Sequence, residues 1–170
     1  MEHHDAGKPG AAQLRRRIKN HLVFFIAALA MSGLTAFPLE TELGIANRWL
    51  QYVNGDGLLT QWIGRVYRGV SETNSSFPFI AYGTDWLAFA HLVIAVAFIG
   101  PLRDPLRNIW VVEVGLIASA AVIPMALIAG GVRDIPLFWR LADCLFGLFG
   151  GLVLWRCHAD VKVLEKLTNP

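Results

Sequence analysis

Four runs of about twenty apolar residues dominate the sequence and restrict how it can fold. They cover approximately residues 21–39, 80–100, 109–130 and 136–156. A helix needs about 20 apolar residues to cross the hydrocarbon core of a bilayer, which is ~30 Å thick. Backbone polar groups must be paired inside lipid, so such runs form helices. The sequence therefore predicts an all-α polytopic membrane protein built as a bundle of four transmembrane helices.

The composition supports this class and excludes several others. Hydrophobic residues make up 55% of the 170 residues and charged residues only 16%, whereas a typical soluble domain has about 25% charged residues. This balance argues against a disordered chain, a nucleic-acid-binding module and most soluble enzymes. The expected partner is the lipid bilayer, and no nucleic-acid partner is expected.

Residues 40–76, between the first and second runs, follow a different pattern. Apolar residues recur at helical spacing in two stretches separated by residues 54–57, which favour a turn. The pattern predicts two short amphipathic helices, with a loop at residues 72–76. Because Trp and Tyr side chains prefer the membrane interface, these helices are expected to form a cap on the outer membrane surface. The alternative is a lid packed over the helix bundle, and the two arrangements are compatible. The two apolar stripes are Ile45, Trp49, Tyr52 and Val53, and Leu58, Leu59, Trp62, Ile63, Val66, Tyr67 and Val70.

The distribution of Lys and Arg predicts the orientation. With four crossings, ten of these residues lie on the side of the N-terminus and four on the other side, and Arg140 lies in the membrane. Basic residues are enriched in cytoplasmic segments, so both termini are expected in the cytoplasm. Residues 1–20 and 159–170 are predicted as cytoplasmic tails, the first 14 residues being disordered and residues 160–167 forming a short extension of the fourth helix. The first run is expected to be retained, although a cleaved signal peptide is the alternative.

Five ionisable residues inside the predicted spans form the candidate intramembrane polar site. A charged side chain at the centre of a transmembrane helix costs ~2.5–3.5 kcal/mol on insertion scales. The presence of each of these residues therefore needs a structural or functional explanation. Because successive helices run in opposite directions, Asp85, Arg140 and Asp143 are expected in the outer half of the membrane. Arg140 and Asp143 are three positions apart and share one helix face. An ion pair that fixes helix register is expected there, and an outward-facing site for a ligand or proton is the alternative. The five residues are Asp85, His91, Glu113, Arg140 and Asp143.

His91 and Glu113 have both structural and functional interpretations. His91 is expected to hydrogen-bond to another helix. Glu113 is expected to pair with Arg103 or Arg107 from the preceding loop. The functional alternative is a proton path that runs from Asp85 and Asp143 through His91 to Glu113.

No cofactor and no metal site are predicted. Haem is the alternative, held by His21 and His158, which both fall near the cytoplasmic face, or by His91. The small residues Gly147 and Gly151 are four apart and predict close packing of the fourth helix against another helix or a second copy of the chain. The motifs of serine hydrolases, zinc proteases, phosphate loops and dinucleotide sites are missing from the sequence.

Three segments carry a resemblance to known proteins. Residues 83–91, 100–110 and 138–144 are similar to stretches of small, uncharacterised bacterial integral membrane proteins. The resemblance covers approximately the last three spans. It implies a location in the bacterial inner membrane and supplies no activity and no catalytic residue.

Two functions are expected from these observations. The first is a non-enzymatic subunit, assembly factor or interaction protein that packs against itself or a larger membrane complex. The second is a membrane-embedded site for a proton, a quinone or a small lipophilic ligand, built from Asp85, His91, Arg140 and Asp143.

Overall fold

A computed structural model describes residues 10–168, and these residues form helices joined by short turns, with no strand among them. The chain divides into two compact units. Of the described residues, one unit contains 10–27 and 96–168, and the other is Ala28–Ala95. The helices are α1 Ala11–Ala36, α2 Leu39–Asn54, α3 Leu58–Ser76, α4 Tyr82–Ala97, α5 Ile99–Arg103, α6 Ile109–Val132 and α7 Leu137–Thr168, with a 3-10 turn at Pro78–Ile80.

Four helical stretches are long and apolar enough to cross a membrane. They are α1, the stretch Pro78–Arg103 that includes α4 and α5, α6 and α7, with 26, 26, 24 and 32 residues. At a rise of 1.5 Å per residue, even the shortest spans about 36 Å, which exceeds the ~30 Å hydrocarbon core. The prediction of an all-helical chain with four candidate spans is thereby confirmed.

The first helix begins earlier than the sequence predicted. α1 starts at Ala11, so the predicted disordered tail is wrong for residues 11–14, and residues 1–9 lie outside the described residues. The extension is helical because Leu14, Ile18 and Leu22, each four apart, form one fully buried stripe. The basic residues of this segment lie on its exposed side.

Residues 39–76 form α2 and α3, joined by a glycine turn. Gly55 has a φ of +52°, a conformation that side-chain-bearing residues rarely adopt. Leu50 of α2 and Ile63 of α3 are buried. The loop predicted at residues 72–76 is wrong, because α3 continues to Ser76.

The second candidate span is interrupted near its end. Pro101 has no backbone N–H to donate to the carbonyl of Ala97, and the helix breaks at Phe98 between α4 and α5. The helix resumes and ends at Arg103, three residues beyond the predicted end. Asn108 then closes the turn before α6 by donating to the carbonyls of Gly100 and Asp104 at 3.2 and 2.9 Å.

The last helix is longer than the apolar run that predicted it. α7 continues to Thr168, which confirms the helical extension predicted over residues 160–167. Its buried residues Leu154, Cys157, Val161 and Leu164 alternate at spacings of three and four, which continues one packed face beyond the apolar run. Burial of this face accounts for the helical extension.

Candidate functional site

A cleft around Asp85 lies in the unit Ala28–Ala95. Its volume is ≈ 510 Å³. The turn between α1 and α2, the end of α3 and the start of α4 all contribute to it. We call it the Asp85 cleft, and its walls include Phe37, Glu40, Gly69, Thr73, Asn74, Thr84 and Asp85.

Glu40 and Asn74 form the polar side of this cleft. The Nδ2 atom of Asn74 donates to Oε2 of Glu40 at 2.8 Å, which joins the start of α2 to the end of α3. Hydrogen bonds from Asn74 and then Ser71 lower the pKa of Glu40 below its ordinary value, so its carboxylate stays charged at neutral pH. Sequence reasoning missed both residues, because 34 positions separate them and no local pattern pairs them.

A second, smaller concavity adjoins the cleft and shares Phe37 and Asp85 with it. Its volume is ≈ 300 Å³, and the rings of Tyr82, Trp86 and Phe89 form its other walls. Successive rings pack edge to face, at 5.9 Å for Tyr82 and Trp86 and 5.8 Å for Trp86 and Phe89. We call it the aromatic slot. Sequence reasoning identified Asp85 and missed these rings, whose spacing of three and four along α4 could have revealed them.

His91 lies on α4 and is not part of the cleft wall. Its Nδ1 atom is 2.8 Å from the carbonyl oxygen of Leu87, one turn earlier in the same helix. Because a carbonyl only accepts, Nδ1 carries the hydrogen. The expected bond to another helix is therefore replaced at Nδ1 by a bond within α4. Gly33 of α1 packs closely here, since a Cβ atom at Gly33 would lie 2.8 Å from the carbonyl oxygen of Ala88.

Arg140 lies beside the C-terminal end of α6 and does not form the expected ion pair. Its Nη1 atom donates to the carbonyl oxygen of Leu127 at 3.2 Å. Gly130 leaves room for the arginine stem, because a Cβ atom there would lie 2.7 Å from Cγ and Cδ of Arg140. A cation at this place complements the helix dipole. Within residues 10–168, the structure records no ion pair between Arg140 and Asp143.

Glu113 pairs with a residue that the sequence did not suggest. Its Oε1 atom lies 3.1 Å from Nε2 of His158, which joins α6 to α7. The expected pair with Arg103 or Arg107 is not formed in the described part of the chain.

His21 and His158, the residues considered for haem, each lie beside a carboxylate of another helix. Nδ1 of His21 is 3.9 Å from Oδ2 of Asp160, which places α1 beside α7. His158 is paired with Glu113. Across residues 10–168, no group of three or more His, Cys, Asp and Glu side chains is placed to hold a metal ion.

Gly147 and Gly151 lie in the contact between α7 and α6. A Cβ atom at Gly147 would be 2.6 Å from the carbonyl oxygen of Ser119, and one at Gly151 would be 3.4 Å from Cβ of Ser119. These glycines therefore allow close approach within one chain. Of the partners that the sequence left open, the structure selects the third predicted span.

The chain was compared with protein-family models, curated proteins and solved structures. No family model matches the chain, and neither a curated protein nor a solved structure is significantly similar to it.

Proposed function

We propose that this chain is an integral protein of the bacterial inner membrane that crosses the bilayer four times and binds a small lipophilic ligand in the Asp85 cleft. The proposal involves binding and no turnover. The single observation that carries it is the cleft itself, a concavity whose walls combine apolar side chains with polar groups that include Glu40, Asn74 and Asp85. Its volume lies within the range of ~300–1,000 Å³ that is typical of ligand pockets.

The charge distribution supports the orientation in this proposal. Ten Lys and Arg residues lie on the side of the N-terminus and four on the other, which favours cytoplasmic termini. The two helices α2 and α3 then form an amphipathic cap outside. On α2, the stripe of Ile45, Trp49, Tyr52 and Val53 is exposed, as expected of a helix that lies on the membrane interface.

The same topology explains how a lipophilic ligand reaches the cleft. The cleft lies where α1 ends and α4 begins, and in the proposed topology both ends are at the outer boundary of the bilayer. A molecule dissolved in the membrane can enter there with its polar group near Asp85. His91, Arg140 and Asp143 are left out, because none of them lines this cleft.

Filling the cleft tests the proposal. Gly69 lines it and has open space at its Cβ position, so Gly69→Phe places a ring in the cleft without a clash at Cβ. We expect a small lipophilic diazirine photolabel to react with the cleft walls of the full-length protein in nonionic detergent. Gly69→Phe should lower this labelling at least ~10-fold.

Gly83→Phe is the matched control, because Gly83 also has open space and lines neither concavity. Labelling mapped by mass spectrometry should be the same in this variant as in the natural protein. Equal labelling of the cleft walls in both glycine variants would contradict a ligand site at the Asp85 cleft.

A non-enzymatic subunit that associates with a second copy of the chain is the second candidate. The small residues Ala28 and Ser32, four apart on α1, are exposed, and such a pair favours helix association in membranes. In a cysteine-free variant, Ser32→Cys should give a disulfide-linked dimer in native membranes, and Leu34→Cys, exposed on another face, should not. Monomers in both cases would exclude this contact.

A further inference from the structure

The charges of the Asp85 cleft and the aromatic slot narrow the class of ligand. Glu40 and Asp85 are the charged residues that line these two concavities, and in the described part of the chain no Lys, Arg or His joins them. The Glu40 carboxylate is already oriented by Asn74. An anionic head group would meet two carboxylates and no compensating cation, whereas a positively charged group would be attracted by both.

The aromatic slot also favours a positively charged ligand group. The faces of Trp, Tyr and Phe rings carry negative potential and attract ammonium groups, and aromatic walls are a common way to hold quaternary ammonium ligands. Phe37, Tyr82, Trp86 and Phe89 are all about half exposed, so their rings are open to a ligand. Asp85 belongs to both concavities and places a carboxylate beside these rings.

We propose that the ligand of the Asp85 cleft is a cationic amphiphile, an amine or quaternary ammonium group carried on an apolar chain. This inference rests on the proposed function and names its ligand class. The ammonium group lies between the carboxylates of Glu40 and Asp85 and the rings of the aromatic slot. The apolar chain follows the apolar walls toward the membrane.

Three photoreactive probes with the same ten-carbon diazirine chain test this inference. Their head groups are trimethylammonium, hydroxyl and sulfate, and the full-length protein is held in a nonionic detergent. We expect the ammonium probe to label residues 37–41 and 82–89 at least ~10-fold more than the hydroxyl or sulfate probe. Asp85→Asn and Glu40→Gln should each lower the ammonium labelling at least ~5-fold.

The control variant is Asp56→Asn, which removes an exposed carboxylate of the turn after α2, outside both concavities. It should leave the labelling unchanged. In the natural protein, unlabelled decyltrimethylammonium should displace the ammonium probe and tetramethylammonium should not. This competition requires no variant to fold, and it separates an amphiphile from a soluble amine.

Three other labelling results would each contradict a different part of the proposal. Equal labelling of the cleft by the ammonium and hydroxyl probes, unaffected by Asp85→Asn, would overturn the cationic class and leave the proposed site intact. Displacement by tetramethylammonium would overturn the requirement for an apolar chain. Absence of cleft labelling with all three probes would overturn the proposed function together with this inference.

Discussion

At the scale of single residues, glycines define where helices approach most closely. Gly33 of α1 faces the backbone of α4, and Gly147 of α7 faces the backbone of α6, in both cases without room for a Cβ atom. The sequence predicted the second position, because Gly147 and Gly151 are spaced four apart. It missed the first, because the residues four positions from Gly33, Leu29 and Phe37, are large, so no pair of small residues marks it and only the tertiary contact reveals its role.

Substitution of Gly147 tests this close approach. Gly147→Ala would place Cβ 2.6 Å from the carbonyl oxygen of Ser119, a backbone atom that cannot move without shifting α6. We expect the free energy of unfolding to fall by about 1–3 kcal/mol, the usual cost of overpacking. Unfolding in mixed micelles, followed by far-UV circular dichroism, measures this loss.

Gly83→Ala controls for the change in helix propensity. No atom lies within 4 Å of a Cβ atom at Gly83, so this variant should be as stable as the natural protein or slightly more stable. Equal stability of the two alanine variants would show that α6 and α7 do not approach each other as described.

At the scale of elements, the sequence predicted the helices more accurately than their ends and partners. Apolar periodicity predicted two short amphipathic helices between the first and second runs, and the structure has α2 and α3 in this part of the chain. It failed at residues 72–76, because Asn and Ser favour loops on average while Asn74 has a tertiary partner in Glu40. The predicted partner of Glu113 was wrong for the same reason. Its actual partner His158 lies 45 positions away, and no local pattern connects the two residues.

The Glu40–Asn74 bond makes the contact between α2 and α3 sensitive to acid. Hydrogen bonds from Asn74 and Ser71 lower the pKa of Glu40 below its ordinary 4.5, so the bond contributes its full stability above that value. This contribution is lost as the pH falls through the lowered pKa of the folded state. Amide hydrogen exchange, corrected for intrinsic rates, should show reduced protection of residues 39–44 and 71–76 at acid pH.

Asn74→Ala is the control for this pH dependence. The variant should show reduced protection of the same residues already at neutral pH, and a smaller further change on acidification. The same pH dependence in the variant and the natural protein would mean that another group is responsible.

At the scale of the whole molecule, the sequence predicted the four candidate spans but not the arrangement of the candidate polar site. Four apolar runs were sufficient to predict four candidate spans, because length and hydropathy alone decide whether a helix can cross a bilayer. Of five ionisable residues selected as one site, the structure places Asp85 in a cleft and gives Glu113 and Arg140 other partners. The position of a residue along its helix follows from the sequence, but the direction in which its side chain points depends on packing.

The proposed topology is tested most directly by labelling single cysteines with a membrane-impermeant maleimide. The free Cys144 and Cys157 are first replaced by alanine, and one cysteine is then introduced at an exposed turn or helix end: Asp56, Asp104, Asp134 or Lys166. Four crossings with cytoplasmic termini predict labelling of Asp56→Cys and Asp134→Cys in intact cells. Asp104→Cys and Lys166→Cys should react only after permeabilisation, and labelling of either in intact cells, or of Asp56→Cys only after permeabilisation, would contradict the account.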